Sequence, residues 1–250
     1  MVKLYIPLDM AAVAMGADKL AAAVAQEAAA RGETVEIVRN GSRGMLWLEP
    51  LIEVETPAGR VGYGPAKVKD VASLFDAGFL TGGAHLLNIG IVDEHPWMKK
   101  QNRVTFVRCG VIDPLSVAEY EAHEGFKGLT RAFEIGRVAV VEEVTKSGLR
   151  GRGGAGFPTG IKWKTVADCP PGQKYVVVNA DEGDSGTFAD RMIMEGDPLS
   201  LIEGMLICGY AVGASKGYVY LRSEYPIVAK VFQAAIEKAL EAGWLGKNIK

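Results

Sequence analysis

The sequence predicts an α/β protein, and three observations carry that expectation. The first 85 residues read in the order β-α-β-β-β-α, which suits a small α/β sandwich. From residue 137 onward, strand and helix signals alternate in the rhythm of a parallel α/β layer. The composition, 48% apolar and 23% charged over 250 residues, is that of an ordinary globular chain long enough for one or two domains. The organisation expected is 1–85 as one domain, 86–136 as a connecting segment and 137–250 as part of a second domain.

Each element has a local reason. Residues 3–8 (Lys-Leu-Tyr-Ile-Pro-Leu) read as a short strand, and the alanine-rich run 17–30 favours helix, with Gly32 at its C-cap. Thr34 to Arg39 reads as a strand ended by the Asn40-Gly41 turn signal, and 45–54 and 59–63 as strands around Pro57-Ala58-Gly59. Apolar residues at 68, 71, 74, 75 and 79 keep a helical period. Residues 82–103, with Gly82-Gly83 and His95-Pro96, look like an extended connection, and 104–112 a strand-like run. Helices are expected at 116–123, 128–135 and 138–145. Lys174 to Asn179 is a buried-strand signal. Asp197-Pro198 opens a helix to about Val212, 217–221 is a strand, and Tyr225-Pro226 opens a last helix to about Ala242.

Composition also excludes function classes. Lys and Arg total 28 against 30 Asp and Glu, a net charge of −2, which argues against nucleic-acid binding. Three widely spaced cysteines, Cys109, Cys169 and Cys208, fit neither a disulfide framework nor a zinc pattern, and point to a reducing, cytoplasmic setting. The N-terminus lacks a signal-peptide core. The longest apolar stretch, Leu201 to Ala214, falls short of the roughly 20 residues of a membrane span.

Two segments carry chemistry. Six glycines fall within 148–160 (Gly-Leu-Arg-Gly-Arg-Gly-Gly-Ala-Gly-Phe-Pro-Thr-Gly). Glycine lets backbone N–H groups approach an anion closely, and Arg150 and Arg152 add charge-assisted donors, which is the physics of a phosphate cradle. Gly151-x-Gly153-x-x-Gly156 matches a dinucleotide fingerprint, but a helical signal precedes it where that fingerprint needs a strand, and Phe157-Pro158 does not open a long amphipathic helix. The alternative is a tight surface turn. Lys162 could pair with a phosphate or a ring carbonyl, and Phe157 could stack on an aromatic ring or simply pack in the core.

The second segment is the end of the strand at 174–179, where Asn179-Ala-Asp181-Glu182-Gly-Asp184 places amide and carboxylate groups at the edge where parallel sheets bind ligands. Such groups can read ribityl or ribose hydroxyls or ring N–H groups. A solvated acidic turn and a hard-cation site are the other readings.

Residues 148–163 followed by Asn-Ala-Asp-Glu-Gly-Asp-Ser-Gly-Thr-Phe-Ala-Asp-Arg (179–191) resemble the NADH- and FMN-binding flavoprotein subunit of respiratory complex I and its relatives, the diaphorase subunits of NAD-reducing hydrogenases and the beta subunits of NAD-dependent formate dehydrogenases. The resemblance extends through 108–114, 125–131 and 217–225. The N-terminal 85 residues resemble a thioredoxin-like ferredoxin domain without its cysteines, and with 39–50 and 189–198 they fit the formate dehydrogenase beta subunit best. A [2Fe–2S] cluster needs four ligands, so this domain is expected to be cluster-free.

The resemblance implies a thioredoxin-like domain followed by a Rossmann-like FMN/NADH-binding domain, incomplete at its C-terminus. It assigns the FMN phosphate to Gly151, Arg152, Gly153 and Gly154, the flavin to Lys162 and Asn179, and the ribityl chain or ring to Asp181. Glu182 and Asp184 fall on the NADH side, and Phe157 stacks near the nicotinamide or adenine. Asp184 stands where complex I subunits often have glutamate, and Thr165 where the family often has an aromatic. No residue is expected as a nucleophile or general base, since the flavin carries the hydride chemistry, and no metal ligand is expected here. A [4Fe–4S] cluster belongs to a C-terminal part outside these residues. The implied partners are NAD(H), a molybdenum- or tungsten-containing catalytic subunit that oxidises formate, and a small [2Fe–2S] thioredoxin-like subunit. The alternatives are a hydrogenase diaphorase or complex I-like flavoprotein, a flavin-free scaffold, and an ordinary Rossmann dehydrogenase.

Overall fold

The N-terminal strand β1 (Val2–Tyr5) pairs in parallel with β2 (Val35–Val38) in the computed structural model, which describes residues 1–184, 186–247 and 249. Between them run α1 (Met10–Ala14) and α2 (Ala17–Ala30). Helix α2 buries Leu20, Ala21, Val24 and Ala28, an i, i+4, i+8 stripe that lets it lie close on the sheet. It ends as expected: Gly32 takes φ +72° at the position after the cap, its N–H reaches the Ala29 carbonyl at 3.2 Å, and the Glu33 N–H reaches Ala28 at 2.9 Å. That pair of bonds is a Schellman motif, which needs a left-handed residue where glycine stands.

Strand β3 (Ile52–Thr56) lies antiparallel to β1 on its other side and forms a hairpin with β4 (Gly59–Tyr63) around Pro57 and Ala58. Helix α3 (Val71–Asp76) follows β4. The order β2-β1-β3-β4, a parallel βαβ pair continued by an antiparallel hairpin and a helix, is thioredoxin-like. The core is Leu4, Ile6, Leu20, Val24, Ile52, Val54, Tyr63, Leu74 and Phe79, all at 1% exposure or less.

Three expectations for this region are corrected. Residues 45–54 are not one strand: a single helical turn, Leu46–Leu48, precedes Pro50, which lacks the N–H a ladder needs, and pairing starts at Ile52. The connection at 82–103 contains a fifth strand, β5 (Asn88–Ile91), on the edge beside β4, and the short helix α4 (Pro96–Lys99). Only four residues long and interrupted by Gly90, β5 has too little periodicity to be read from sequence. The run 104–112 is a series of turns rather than a strand. Two of its carbonyls are taken by side chains, Asn40 donating to Gly110 O at 2.7 Å and Arg60 to Gly110 O at 3.1 Å and Val111 O at 2.6 Å, and those of Phe106 and Arg108 by the N–H groups of local turns.

The chain divides into two units, Met1–Ser116 with Met192–Asp197, and Val117–Arg191 with Pro198–Lys250, so the segment 86–136 is shared between them. The second unit holds α5 (Val117–Ala122), α6 (Lys127–Ile135), α7 (Arg137–Lys146), α8 (Thr159–Ala167) and strand β6 (Tyr175–Ala180). Helix α9 (Ala189–Gly196) spans the division and is followed by α10 (Pro198–Val212), β7 (Lys216–Leu221) and α11 (Pro226–Glu241). Strands β6 and β7 pair in parallel, with Tyr175 opposite Lys216 and Ala180 opposite Leu221. Helix α10 is apolar nearly all round. Its one buried charge, Glu203, accepts hydrogen bonds from Tyr120 Oη (2.5 Å) and from the N–H groups of Phe126 (2.8 Å) and Leu129 (3.0 Å).

Strand β6 departs from its expected burial. Val176 and Val178 are half-buried and Ala180 buried, but Val177 on the other face is 66% exposed, as are Tyr175, Tyr218 and Tyr220 in large part. Alternate residues point to opposite faces. Helix α10 contacts both strands, and the face carrying Val177 stays open. No helix of the described residues is long and apolar enough to cross a membrane.

Candidate functional site

The glycine loop is pinched at its neck by backbone pairing. Gly151 N–H donates to Phe157 O at 2.9 Å and Thr159 N–H to Leu149 O at 2.8 Å, so 149–151 and 157–159 run antiparallel and the tip, 152–156, projects from them. Arg150 does not face outward as a donor. Its guanidinium donates to Gly156 O at 3.1 Å and closes the tip from within. Arg152 is exposed and makes no hydrogen bond or ion pair among the described residues.

Helix α7 leads into the loop as the sequence suggests. The nine-residue helix α8, which sequence reasoning did not assign, leads out of it. The two helices meet where Gly160 faces Thr145, so closely that a Cβ on Gly160 would lie 2.3 Å from Thr145 Oγ1. Both flanks of the loop are therefore held by one contact that tolerates no side chain.

The tip suits an anionic group. A Cβ on Gly153 or Gly154 would meet nothing within 4 Å, and neither N–H makes a backbone hydrogen bond among the described residues, so both amides are open to an anion. Lys162, one turn into α8, brings its Nζ to 3.9 Å from the Cβ position of Gly151 and lies over the Phe157 ring, 5.7 Å from its centre. Phe157 is 45% exposed and is not a core residue, whereas Trp163 packs against the cluster of Ala132, Val140, Val141 and Ala211. Gly151, Phe157 and Lys162 are thus brought together beside the Arg152 tip.

The turn after β6 is organised in the opposite way. Asn179 Oδ1 accepts the Asp181 N–H at 3.1 Å. Glu182 has φ +44°, the left-handed region, unusual for a residue with a side chain. Its carboxylate accepts from the N–H groups of Asp190 (2.8 Å) and Arg191 (3.1 Å), in the first turn of α9, and from Tyr225 Oη (3.0 Å). Its carbonyl accepts from Arg222 Nη1 at 2.7 Å. Asp181 is half-buried and Asp184 exposed. Ser185 of this motif lies outside the described residues. Burial, then the neighbouring Glu182, pushes the Asp190 carboxyl up; burial, then the bond to Glu182, pushes the Tyr225 phenol up. Arg222 and then its own backbone hydrogen bond hold the Glu224 carboxyl down at about 2.

Arg222, Glu224 and Tyr225 were not singled out from sequence. The available signal was their place directly after β7, the strand parallel to β6, because both carboxyl ends of such a pair face one crevice. Among the described residues no hydrogen bond, ion pair or ring contact joins the glycine loop to the acidic turn, and no three His, Cys, Asp or Glu side chains are grouped to hold a metal ion. A cavity of about 690 Å³ lies at the amino ends of the two strands, lined by Arg137, Thr145, Lys146, Lys164, Lys174 and Gly213 among others, and includes none of the sequence-predicted site residues.

Residues 144–250 match the family model described as the Nuo51 FMN-binding domain. The chain is similar to the NADP-reducing hydrogenase subunit HndC of Solidesulfovibrio fructosivorans, 52% identical over 151 residues, covering 60% of this chain and 31% of that protein. It is 49% identical over 117 residues to the mitochondrial NADH dehydrogenase [ubiquinone] flavoprotein 1 of Dictyostelium discoideum, covering 45% of this chain and 24% of that protein. A solved NAD+-reducing [NiFe]-hydrogenase aligns with 96% of this chain and 41% of its own, at 21% identity and a TM-score of 0.45. The chain spans no more than about a third of the length of the curated relatives it matches. The family match takes in the glycine loop, both parallel strands and the acidic turn between them.

Proposed function

We propose that residues 137–250 form the first part of an FMN- and NAD(H)-binding domain, and that the protein is the flavoprotein subunit of a diaphorase-type oxidoreductase. The observation that carries this reading is the loop tip: bare amides at Gly153 and Gly154, an uncommitted Arg152 and the nearby Lys162 ammonium, all within the matched segment. That donor set fits a phosphate monoester. Gly151, Arg152, Gly153 and Gly154 hold the phosphate, and Lys162 and Asn179 contact the flavin. Asp181 binds the ribityl chain or ring, Asp184 and Glu182 lie towards the dinucleotide, and Phe157 offers a face for stacking. Bound FMN supplies electron exchange with a nicotinamide. The chain's own part is to grip, orient and exclude water, and none of its side chains is needed as a nucleophile or general base. Residues 1–85 serve as a cluster-free docking or structural module.

For the electron donor we propose formate, supported by the resemblance of 1–85, 39–50 and 189–198. The partners are then a molybdenum- or tungsten-containing subunit and a small [2Fe–2S] subunit, in the cytoplasm, with a [4Fe–4S] cluster elsewhere in the whole protein. A hydrogenase diaphorase is the second reading, favoured by the 52% identity to a hydrogenase subunit.

The test is purification of the native assembly, reconstitution with FMN and measurement of NADH-driven ferricyanide reduction. A yellow protein that reduces ferricyanide is expected. An assembly that takes up no FMN, or takes it up and ignores NADH, overturns the reading. Metal analysis separates the donors: molybdenum or tungsten for formate, nickel for hydrogen.

A further inference from the structure

Strands β6 and β7 end in register, Ala180 opposite Leu221, so Asp181 and Arg222 are the first residues to leave the sheet on neighbouring strands. Two residues past Ala180, Glu182 makes the left-handed corner that redirects the chain. A side chain in that region costs on the order of 1 kcal/mol and persists where the surroundings hold it. Capping α9 accounts for two of its bonds, those from the Asp190 and Arg191 N–H groups. The other two come from the segment after β7: Tyr225 Oη to the carboxylate at 3.0 Å and Arg222 Nη1 to the carbonyl at 2.7 Å.

These two residues act as a pair. The Arg222 guanidinium lies over the Tyr225 ring, 5.1 Å from its centre, and is steadied by Glu224 at 3.2 Å. Side-chain carboxylate and main-chain carbonyl of one corner are thus held from a different strand. The corner sets the direction in which Asp181 precedes it and Gly183-Asp184 follow it; the Asp181 carboxylate lies 3.3 Å from the Cβ position of Gly183.

We propose that Tyr225 and Arg222 are positioning residues for the ligand-facing acids Asp181 and Asp184, acting through Glu182. This rests on the flavin and dinucleotide reading above. Loss of the Tyr225 hydroxyl leaves the two α9 amide bonds to the carboxylate in place but cuts its tie to the segment after β7, so the corner keeps its cap while the adjoining acids lose one of the bonds that fix their bearing.

The experiment is a double-mutant cycle in the native assembly, with FMN and NADH as probes. Tyr225→Phe is expected to raise KM for NADH roughly three- to tenfold, less than the full worth of one hydrogen bond to a charged group because two amide bonds still hold the carboxylate, while kcat changes less. Glu182→Ala, which removes every carboxylate bond of the corner, is expected to raise KM at least as much, and the double variant to match Glu182→Ala alone within about twofold, because the phenol then has no carboxylate to act through. Arg222→Lys, which keeps the charge but loses the fork, is a second approach should Tyr225→Phe fold poorly; it is expected to shift KM in the same direction. Multiplicative effects of Tyr225→Phe and Glu182→Ala, or unchanged kinetics in Tyr225→Phe and Arg222→Lys whatever their melting temperatures, overturn the inference. A wild-type assembly that binds no FMN overturns instead the reading on which it rests.

Discussion

The glycine loop and the acidic turn after β6 sit in one unit and use their polar groups in opposite ways. At the loop tip the backbone is held by its neck, by Arg150 and by the Gly156 N–H to Gly153 O bond, and Arg152 is committed to nothing among the described residues. In the turn Glu182 is fully committed, to two amides, a phenol and, through its carbonyl, a guanidinium. The contrast shows two routes to a binding surface. The loop keeps free donors with little steric strain, because glycine has no Cβ, although ordering it costs more backbone entropy than other residues would. The turn directs hydrogen bonds inward to hold a strained corner, so that the acids beside it leave the sheet in set directions. Charge alone does not mark a ligand contact: Arg150 and Arg152 stand two residues apart, and Arg150 is used to close the loop on itself.

A third way of burying polarity exists in the first unit, where Glu49 accepts from Ser42 Oγ at 2.8 Å and from the Leu51 N–H at 3.0 Å, 2% exposed. Burial first, then the nearby Asp9, pushes its carboxyl up to about 8. The folded state therefore binds this proton more tightly than the unfolded chain, whose carboxyl titrates near 4.5. Stability falls as pH rises from about 4.5 to 8 and then levels off, by on the order of 4–5 kcal/mol for this group. Glu49→Gln should flatten that dependence, and urea unfolding at pH 5, 7 and 9 measures it. Glu182→Ala should cost about 2 kcal/mol of stability, because two helix amides and a buried phenol lose their acceptor. Calorimetry reads this, and an unchanged melting temperature would remove the turn's side of the comparison. Arg152→Ala should leave the fold within about 0.5 kcal/mol yet weaken FMN retention about tenfold, near 1.4 kcal/mol. Flavin fluorescence after gel filtration measures retention, and a loss of stability without a loss of flavin would reverse the assignment.

Much of the second unit was legible in the sequence because its signals are local. Pro198 and Pro226 mark helix starts that the structure keeps, α10 ends at Val212 as expected, and β6 and β7 lie within a residue or two of their predicted spans. The glycine density of 148–160 singled out the loop. What failed was long-range. Residues 104–112 have strand-like composition, but side chains of Asn40 and Arg60, some fifty to seventy residues earlier, claim the carbonyls of Gly110 and Val111. Helix α8 was obscured by its small and β-branched residues, and its place is set by the close approach of Gly160 to Thr145.

Local runs of residues set most elements of the second unit and the chemistry of each segment: an amide-rich, arginine-bearing loop and an acid-rich strand end. They did so because capping, periodicity and glycine density act over a few residues. Only the tertiary structure decided which charges are tied up internally and which are left facing solvent. Arg150 turns inward while Arg152 stays out, and Glu182 is held by Tyr225 and Arg222 from another strand. Such pairings depend on how strands and helices come to lie beside one another, and no local run of residues encodes that.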